Sequence, residues 1–252
     1  MCGIVGYVGP RDCVDLLIEG LKRLEYRGYD SAGIAIQNGK GLEVIKAAGK
    51  IKNLEERLAV AHPTGTSGIA HTRWATHGEP NDTNAHPHLS QNGRIAVAHN
   101  GIIENHAALR ASLVLKGYQF TTETDTEVLA HLIEEYYDGN LEQAVIRSLQ
   151  HVDGTYGLAV ICADEPGKVV GARKGSPLVI GLGQGEYFIA SDVSAILRHT
   201  KQVVYLDDGE MAVITPAAYR TMTIDNQPVD KTVSQIEWEL AQIEKGGYDH
   251  FM

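Results

Sequence analysis

Short runs of β-branched and apolar residues, bounded by glycine, proline or aspartate, recur along the chain between segments with a helical repeat of apolar positions. The short runs predict strands, at residues 4–8, 32–37, 43–47, 67–72, 94–99, 156–162, 168–172, 178–181, 187–190, 202–205 and 210–214. The helical repeat predicts helices, at residues 12–24, 53–61, 105–116, 125–137 and 141–149. In the first helix, Val14, Leu17, Leu21 and Leu24 share one face, which we expect to be buried.

The order of these elements favours an α+β fold. The strands cluster at the start, in the middle and in the C-terminal third, and the helices lie between these clusters rather than after every strand. Closely spaced strands, as in the segment LVIGLGQGEYFIA, favour antiparallel pairing over βαβ crossovers. Gly117 and Gly139 follow two predicted helices where C-terminal capping glycines belong. From about Gln235 the pattern predicts a short helix, and Gly246-Gly247 then predicts a linker or a frayed terminus.

Composition excludes several classes of function. The 252 residues carry 22 Lys and Arg against 32 Asp and Glu, a formal net charge of −10. Such a chain lacks the basic surface of a nucleic-acid binder and is not attracted to anionic membranes, so we expect neither partner. No apolar run approaches the roughly 18 residues of a membrane-spanning helix, and the first residues lack a secretory signal pattern. Cys2, Cys13 and Cys162 are too irregularly spaced to predict a disulfide framework, which favours the cytoplasm.

Cys2 has the clearest chemical implication. A small second residue allows removal of the initiator methionine, which leaves the thiol beside its own free α-amino group. An unperturbed α-amine has a pKa of about 7.7–8.0 and a thiol about 8.5, so the amine can take the thiol proton near neutral pH. N-terminal-nucleophile hydrolases use this arrangement. On position alone, a chance cysteine after the initiator methionine is the alternative.

Six ordered blocks extend this interpretation: MCGIVG at residues 1–6, LEYRGYDSAG at 24–33, HTRWATHG at 71–78, NAHPH at 84–88, HNGIIEN at 99–105 and TETDTE at 122–127. Together they resemble the glutaminase domain of the glutamine–fructose-6-phosphate aminotransferase family, and the resemblance covers essentially the whole chain. It implies an N-terminal-nucleophile four-layer sandwich, with two antiparallel β-sheets between layers of helices, and no cofactor. It also implies a glutamine amidotransferase domain at residues 1–240 and a linker at 241–252 toward sugar-isomerase domains that bind fructose-6-phosphate. At full length, a homodimer is expected.

The resemblance assigns catalytic roles to Cys2, Asn100 and Gly101. Cys2 would be the nucleophile. The side-chain amide of Asn100 and the backbone N–H of Gly101 would form the oxyanion hole, where the missing Cβ of glycine permits close approach. The alternative for Asn-Gly is a type I′ hairpin turn, which this dipeptide strongly favours.

Glutamine binding is implied for five further residues. Arg73 would bind the α-carboxylate, and Asp125 would bind the α-ammonium, with a helix cap as the alternative for Asp125. Thr76 and His77 lie in residues 73–79, which resemble the loop that closes over glutamine in this family. Trp74 resembles the gate on the ammonia path, with a buried aromatic as the alternative.

Other polar residues lie in or near these blocks. Arg27, with Tyr29 and Asp30, is predicted either to support the cysteine or to belong to a structural loop with paired charges. The region also contains a dense set of histidines: His71, His77, His86, His88, His99 and His106. No HExxH motif is present, so we predict no metal site and expect His86 and His99 to order the pocket.

The leading hypothesis is hydrolysis of L-glutamine to L-glutamate and ammonia through a γ-glutamyl thioester on Cys2, with ammonia passed on to make glucosamine-6-phosphate from fructose-6-phosphate. The same chemistry could serve another acceptor, as in phosphoribosylpyrophosphate amidotransferase, asparagine synthetase or glutamate synthase. A metal-dependent amidohydrolase and a non-catalytic glutamine-sensing module are the alternatives from other classes.

Overall fold

The computed structural model of this chain describes residues 2–75 and 78–237, which contain five α-helices and fourteen β-strands. The helices are α1 (Cys13–Leu24), α2 (Ile51–Ala61), α3 (His106–Leu115), α4 (Thr126–Tyr136) and α5 (Leu141–Leu149). Short 3-10 turns lie at Glu25–Arg27 and Val193–Ala195. The strands are β1 (Gly3–Val8), β2 (Ser31–Asn38), β3 (Gly41–Ala48), β4 (Ser67–Arg73), β5 (His88–Leu89), β6 (Ile95–Ile103), β7 (Gly154–Cys162), β8 (Val169–Lys174), β9 (Val179–Leu182), β10 (Tyr187–Ala190), β11 (Gln202–Tyr205), β12 (Glu210–Ile214), β13 (Tyr219–Thr223) and β14 (Ser234–Gln235).

The strands form two stacked antiparallel sheets. One sheet has the order β14-β11-β9-β10-β1-β4-β2-β3, and the other has the order β13-β12-β8-β7-β6-β5. Strands β1 and β4 of the eight-stranded sheet contact β6 and β7 of the six-stranded sheet. Helices α1 and α2 cover the outer face of the eight-stranded sheet, and α4 and α5 cover that of the six-stranded sheet. The predicted α+β sandwich of two antiparallel sheets between helical layers is therefore confirmed.

Strand β1 illustrates how the layers are built. Ile4 and Val8 point into the apolar layer between the two sheets, whereas Val5 and Tyr7 point into the layer beneath α1. Because successive side chains of a strand face opposite sides, a strand covered on both faces is apolar at nearly every position. All four side chains are at most 2% exposed, and each contributes roughly 1.5–3 kcal/mol by burial.

Helix α1 begins and packs as its sequence predicts. The Asp12 carboxylate accepts a hydrogen bond from the Val14 backbone N–H at 2.9 Å, which caps the helix start. Leu17, Leu21 and Leu24, spaced three to four residues apart, are completely buried against the eight-stranded sheet. Truncating Leu17 to alanine is expected to cost about 2–5 kcal/mol of stability.

The five helices and eleven strands predicted up to residue 214 are all present, with the main error in β6. That strand was predicted to end at residue 99 but continues to Ile103. Gly117 follows α3 with a φ of +94°, as a capping glycine should, but Gly139 lies beyond the α4 C-cap residue Tyr137. Gln235 belongs to β14 rather than to a helix. The rest of the predicted C-terminal helix and linker lies outside the described residues.

Three strands were not predicted. Strands β5 and β14 have only two residues each, too few to show a repeat. Strand β13 is largely polar and forms where β12 offers an unpaired edge. Within the described ranges, no helix is both long and apolar enough to cross a bilayer.

Candidate active site

A cavity of about 320 Å³ lies where the start of β1 and the end of β4 face β6 across the two sheets. This volume is at the lower end of the roughly 300–1,000 Å³ typical of small-molecule sites. The predicted site residues within the described chain all line it: Cys2, Arg27, Arg73, Trp74, His86, His99, Asn100, Gly101 and Asp125. Thr76 and His77 lie outside the described residues. The fold thus gathers residues that are far apart in the sequence into one site.

Cys2 lies directly before β1, beside the backbone that leaves β4. The Trp74 N–H donates to the Cys2 Sγ at 3.2 Å, and the thiol lies 3.5 Å from the Trp74 carbonyl oxygen. Burial raises the pKa of the Cys2 thiol above its ordinary value, despite the opposing hydrogen bond from Trp74. The thiol is therefore protonated at neutral pH and requires a base before it can act as a nucleophile.

The turn after β4 is held by the loop that precedes β2. The Asp30 carboxylate accepts from the Ala75 N–H at 2.8 Å, and the Asp30 N–H donates to the Arg73 carbonyl at 3.0 Å. Gly28 lies so close beneath the turn that a Cβ would come within 2.8 Å of the Arg73 carbonyl carbon and 3.0 Å of the Trp74 nitrogen. Asp30 and Gly28 therefore set the position of the N–H that reaches the thiol.

Asn100 and Gly101 lie inside β6 and pair with β7. The type I′ turn that Asn-Gly favours does not form here, so that alternative is wrong. Gly101 has a φ of +133°, and a Cβ there would lie 2.1 Å from the Thr155 carbonyl oxygen, so only glycine fits. The Asn100 Nδ2 donates to the Cys2 carbonyl oxygen at 3.1 Å. This contact brings a side-chain amide of one sheet against the cysteine of the other.

The histidines at the cavity form hydrogen bonds in their neutral state. His99 Nε2 lies 3.3 Å from the Thr155 carbonyl oxygen, and His99 Nδ1 lies 2.9 Å from Thr126 Oγ1. His86 Nδ1 lies 3.1 Å from His71 Nε2. Burial lowers the pKa of His99, lowers that of His86 well below its ordinary value, and lowers that of His71 to about 3. In the part of the chain that the structure describes, no group of three or more His, Cys, Asp or Glu is arranged to hold a metal ion.

Arg73 and Asp125 provide opposite charges in the same cavity. Arg73, 4% exposed, donates to the Gly78 and Glu79 carbonyl oxygens at 3.3 and 3.4 Å. Asp125 occupies the N-cap position of α4, but its side chain makes no capping bond. Its Oδ2 instead accepts from the Ile103 N–H at 2.8 Å. Asp125 thus stands where a helix cap would, but its carboxylate does not cap the helix.

The rim of the cavity is aromatic and partly exposed. The Trp74 side chain is 45% exposed and meets Tyr29 edge-to-face, with 5.3 Å between ring centroids. The buried-aromatic alternative for Trp74 is therefore wrong, and its gating role stays a prediction. The Arg27 guanidinium pairs with Asp192 and donates to the Tyr26 hydroxyl at 2.9 Å. Arg27 thus lines the cavity and carries a paired charge, and its role in supporting the cysteine stays a prediction.

Several residues at the site were missed by sequence reasoning. The lining also includes Ile102, Thr124, Thr126, Thr155, Ser176 and Pro177. Thr124 and Thr126 flank Asp125 in a block already singled out, so attention to its neighbours would have found them. Thr155 and the Ser176-Pro177 pair carry no chemical signal and reach the cavity only through the pairing of β7 with β6 and β8.

Comparison with known proteins now decides the family. The sequence profile of the glutamine amidotransferase domain matches residues 71–198, about half of the chain. The chain belongs to the glutamine amidotransferase family. The predicted glutamine amidotransferase domain is thereby confirmed, and membership implies glutamine as its substrate.

Curated relatives align with the whole of this chain over less than half of their own length. The glutamine–fructose-6-phosphate aminotransferase (isomerizing) of Chlorobaculum tepidum is 54% identical over 259 residues, which cover 100% of this chain and 42% of the relative. The enzyme of the same name from Thermococcus kodakarensis is 51% identical over 255 residues, with the same coverage of 100% and 42%. The chain thus spans about two fifths of the length of these relatives.

Solved amidotransferase structures share the fold. The glutamine phosphoribosylpyrophosphate amidotransferase of B. subtilis has a TM-score of 0.76 and 29% identity, over 88% of this chain and 49% of that one. A structure described as the allosteric regulatory enzyme of purine biosynthesis has a TM-score of 0.77 and 30% identity, with the same coverage of 88% and 49%. A class-II glutamine aminotransferase domain protein from Silicibacter pomeroyi, with 15% identity and a TM-score of 0.61 over 88% of this chain and 99% of that one, shows similarity of fold alone.

Proposed function

We propose that this chain hydrolyses L-glutamine to L-glutamate and ammonia, with Cys2 as the nucleophile after removal of Met1. The observation that carries the proposal is the single cavity lined by Cys2, Asn100, Gly101, Arg73 and Asp125. These residues provide a nucleophile, two oxyanion donors and a partner for each charged end of an amino acid. Hydrolysis of a primary amide needs the nucleophile and the oxyanion donors, and the two charged partners hold glutamine in place.

The first step is a proton transfer within Cys2. Once Met1 is removed, the α-amine takes the thiol proton, directly or through one water. Because burial raises the pKa of the thiol, the base must act at the moment of attack rather than wait for a standing thiolate. The Sγ then bonds to the side-chain carbonyl carbon of glutamine, and the carbonyl electron pair moves to its oxygen.

The resulting oxyanion is stabilised by Asn100 and Gly101. One N–H of the Asn100 amide is already used on the Cys2 carbonyl oxygen, which leaves its second N–H for the oxyanion beside the backbone N–H of Gly101. A donor of this kind is worth roughly 2.7–4 kcal/mol in other enzymes.

Collapse of the oxyanion breaks the carbon–nitrogen bond. The leaving nitrogen takes the proton held by the α-amine, and ammonia departs from a γ-glutamyl thioester on Cys2. Water then gives a proton to the α-amine and attacks the thioester. The second collapse releases glutamate, and the returning proton regenerates the thiol, so every atom and charge is accounted for.

Substrate orientation falls to Arg73 and Asp125. The guanidinium binds the α-carboxylate through two parallel hydrogen bonds, replacing its long contacts to the Gly78 and Glu79 carbonyls. The Asp125 Oδ1 binds the α-ammonium while Oδ2 keeps its bond to the backbone. Residues 73–79, including Thr76 and His77, close over the substrate and exclude water. Trp74, half exposed at the rim, gates the departure of ammonia.

We also propose that the released ammonia is used to make glucosamine-6-phosphate from fructose-6-phosphate. The support is the name shared by the curated relatives, at 49–54% identity, against 29–30% for the phosphoribosylpyrophosphate type and the other purine enzyme. The acceptor site would then lie in sugar-isomerase domains, in a full-length homodimer. The free thiols of Cys2, Cys13 and Cys162 fit a reducing compartment, which we take to be the cytoplasm.

The decisive experiment measures glutamate release from L-glutamine by the purified chain, with loss of Met1 verified by mass spectrometry. We expect release by the wild type, no release by Cys2→Ala, and no effect of a chelator. Cys13→Ala is the matched control, because Cys13 is fully buried and burial raises its pKa to about 12. It should retain activity.

Two outcomes would favour the alternatives. Release that a chelator abolishes would support a metal-dependent amidohydrolase. Binding of glutamine without release, by a chain that has lost Met1, would support a sensing module. Equal release by Cys2→Ala and the wild type would rule out the cysteine mechanism.

A further inference from the structure

His71 is a buried histidine with a single permitted proton position. It is fully buried in β4, with Nε2 at 3.1 Å from the His99 carbonyl oxygen and 3.0 Å from Asn100 Oδ1. Both of these partners are oxygens that accept, so Nε2 carries the proton, and its third neighbour, His86 Nδ1 at 3.1 Å, must then be an unprotonated nitrogen. His71 Nδ1 is also buried and finds no hydrogen-bond partner within the described residues. A second proton there would be unpaired, and burial accordingly lowers the pKa of His71 to about 3.

This fixed donor bears on the orientation of the Asn100 amide. In the structure the amide oxygen faces the His71 N–H, and Nδ2 donates to the Cys2 carbonyl oxygen at 3.1 Å. If the amide turned over by half a rotation, its NH₂ group would face a donor and its oxygen would face an acceptor. Both contacts would change from attractive to repulsive. His71 and the Cys2 carbonyl thus select the same orientation from opposite ends.

The neighbouring histidine restrains His71 in turn. The His86 ring packs against the His71 ring, with 4.2 Å between centroids and a 56° tilt. His86 Nδ1 also lies 3.1 Å from His71 Nε2. With His86 on one side and β6 on the other, the His71 ring is fixed in position.

We propose that His71 is a positioning residue for the reaction: its Nε2–H holds the Asn100 amide so that Nδ2 faces the substrate oxyanion. This inference rests on the proposed glutaminase function. His71 touches neither the substrate nor the thiol in this role. It acts through Asn100 by keeping the oxyanion donor aimed before the substrate arrives, which removes reorganisation from the reaction step.

The test compares steady-state kinetics of the full chain carrying His71→Leu or His71→Gln. His71→Leu should lower kcat by about 10- to 100-fold, less than the roughly 10²–10³-fold loss on removing an oxyanion donor outright. The KM for L-glutamine should change less than about threefold, because Arg73 and Asp125 still bind the substrate. His71→Gln should recover much of kcat, since its amide offers an N–H in a similar place.

A double-mutant cycle separates positioning from a general structural effect. In an Asn100→Ala background, His71→Leu should cost less than about a further twofold, because the group it positions is gone. His131→Leu is the matched control, since His131 is likewise buried, at 2% exposure, and its Nε2 bonds the Gln119 carbonyl oxygen away from the cavity. It should lower thermal stability without changing kcat.

Three results would overturn the inference: a wild-type kcat in His71→Leu, no recovery in His71→Gln, or a full additional loss in the double variant. The side-chain amide resonances of Asn100 give a readout without turnover. They should shift or broaden in His71→Leu and stay in place in His131→Leu. If the wild type released no glutamate, the proposed function would fail, and these resonances alone would still decide whether His71 orients Asn100.

Discussion

The two sheets contribute unequal halves of the site. The eight-stranded sheet contributes Cys2 and the turn after β4, both at strand ends, with Trp74 45% exposed at the rim. The six-stranded sheet contributes Asn100 from inside a strand and Asp125 from a helix start, at 9% and 7% exposure. The rim of the first half is partly exposed and can move, whereas Asn100 and Asp125 in the second half are held by buried hydrogen bonds. A site that must admit substrate and yet keep its oxyanion donors aimed benefits from this division.

Removing a donor from the rigid half should have the largest effect. Asn100→Ala is expected to lower kcat by about 10²–10³-fold, equivalent to roughly 2.7–4 kcal/mol of lost oxyanion stabilisation. Steady-state glutaminase kinetics measure this loss. Asn140→Ala is the control, because it removes a helix cap outside the site and should cost about 0.5–2 kcal/mol of stability with kcat unchanged. A loss in Asn100→Ala confined to KM would contradict an oxyanion role.

A substitution at Gly101 should disturb the backbone of the rigid half. Gly101→Ala should destabilise the fold by about 2–5 kcal/mol, through strain at positive φ and overpacking, because its Cβ would meet the Thr155 carbonyl oxygen at 2.1 Å. Urea unfolding measures the loss. Gly93→Ala is the matched control, since Gly93 also has positive φ, +72°, but an added Cβ there would meet nothing within 4 Å. Equal losses at the two positions would mean that strain alone, without the clash, explains the effect.

Acid should destabilise the folded chain through the buried histidines at the junction of the two halves. The pKa values of His71, His86 and His99 are lowered in the folded chain. Below roughly pH 6.5 the unfolded chain therefore binds protons that the folded chain does not bind. The free energy of unfolding should therefore be highest above that pH. As the pH falls, each such histidine should lower the free energy of unfolding by about 1.4 kcal/mol per pH unit. For His71 this decrease should continue down to about pH 3.

Chemical unfolding at a series of pH values checks this slope. In His71→Gln, the slope between about pH 6 and 4 should be flatter by the contribution of one proton. A slope equal to that of the wild type would mean that folded His71 takes up its proton as readily as the unfolded chain.

In the movable half, formed by Cys2 and the turn after β4, the loss of one hydrogen bond should have a smaller effect on activity. Asp30→Ala removes the acceptor for the Ala75 N–H and should lower kcat/KM about 5- to 10-fold, in keeping with roughly 1 kcal/mol for one hydrogen bond. Asp12→Ala is the control: it uncaps α1 and should cost about 1 kcal/mol of stability without affecting kcat/KM. If both variants had wild-type kcat/KM, the turn would not depend on Asp30 for its position.

The chemical identity of the site residues was accessible from sequence, whereas their surroundings were not. The role of Cys2 follows from its place after the initiator methionine, whereas the roles of Arg73 and Asp125 are implied by the resemblance of the polar blocks in which they lie. Asn100-Gly101 was expected to be either an oxyanion hole or a turn, since local propensity favours the turn. The long pairing of β6 with β7 overrides that propensity, and no local pattern reveals such pairing.

Side-chain direction was the other limit. Asp125 looked like a helix cap because of its place before α4, and only the approach of the Ile103 N–H draws its carboxylate away from the helix. His71 was seen only as one of many histidines, since its neighbours Asn100 and His86 come from other segments. Fold class depends on repeats within segments, but the direction of a side chain depends on contacts between them.

The central place of β1 has a consequence for synthesis on the ribosome. Cys2 is made well before the residues that surround it, because β1 is flanked by β4 on one side and by β10, at Tyr187–Ala190, on the other. A nascent chain of a hundred residues would carry the thiol without its second neighbouring strand and without β7 to support Asn100. The surroundings of Cys2 are therefore complete only after nearly two hundred further residues have been made.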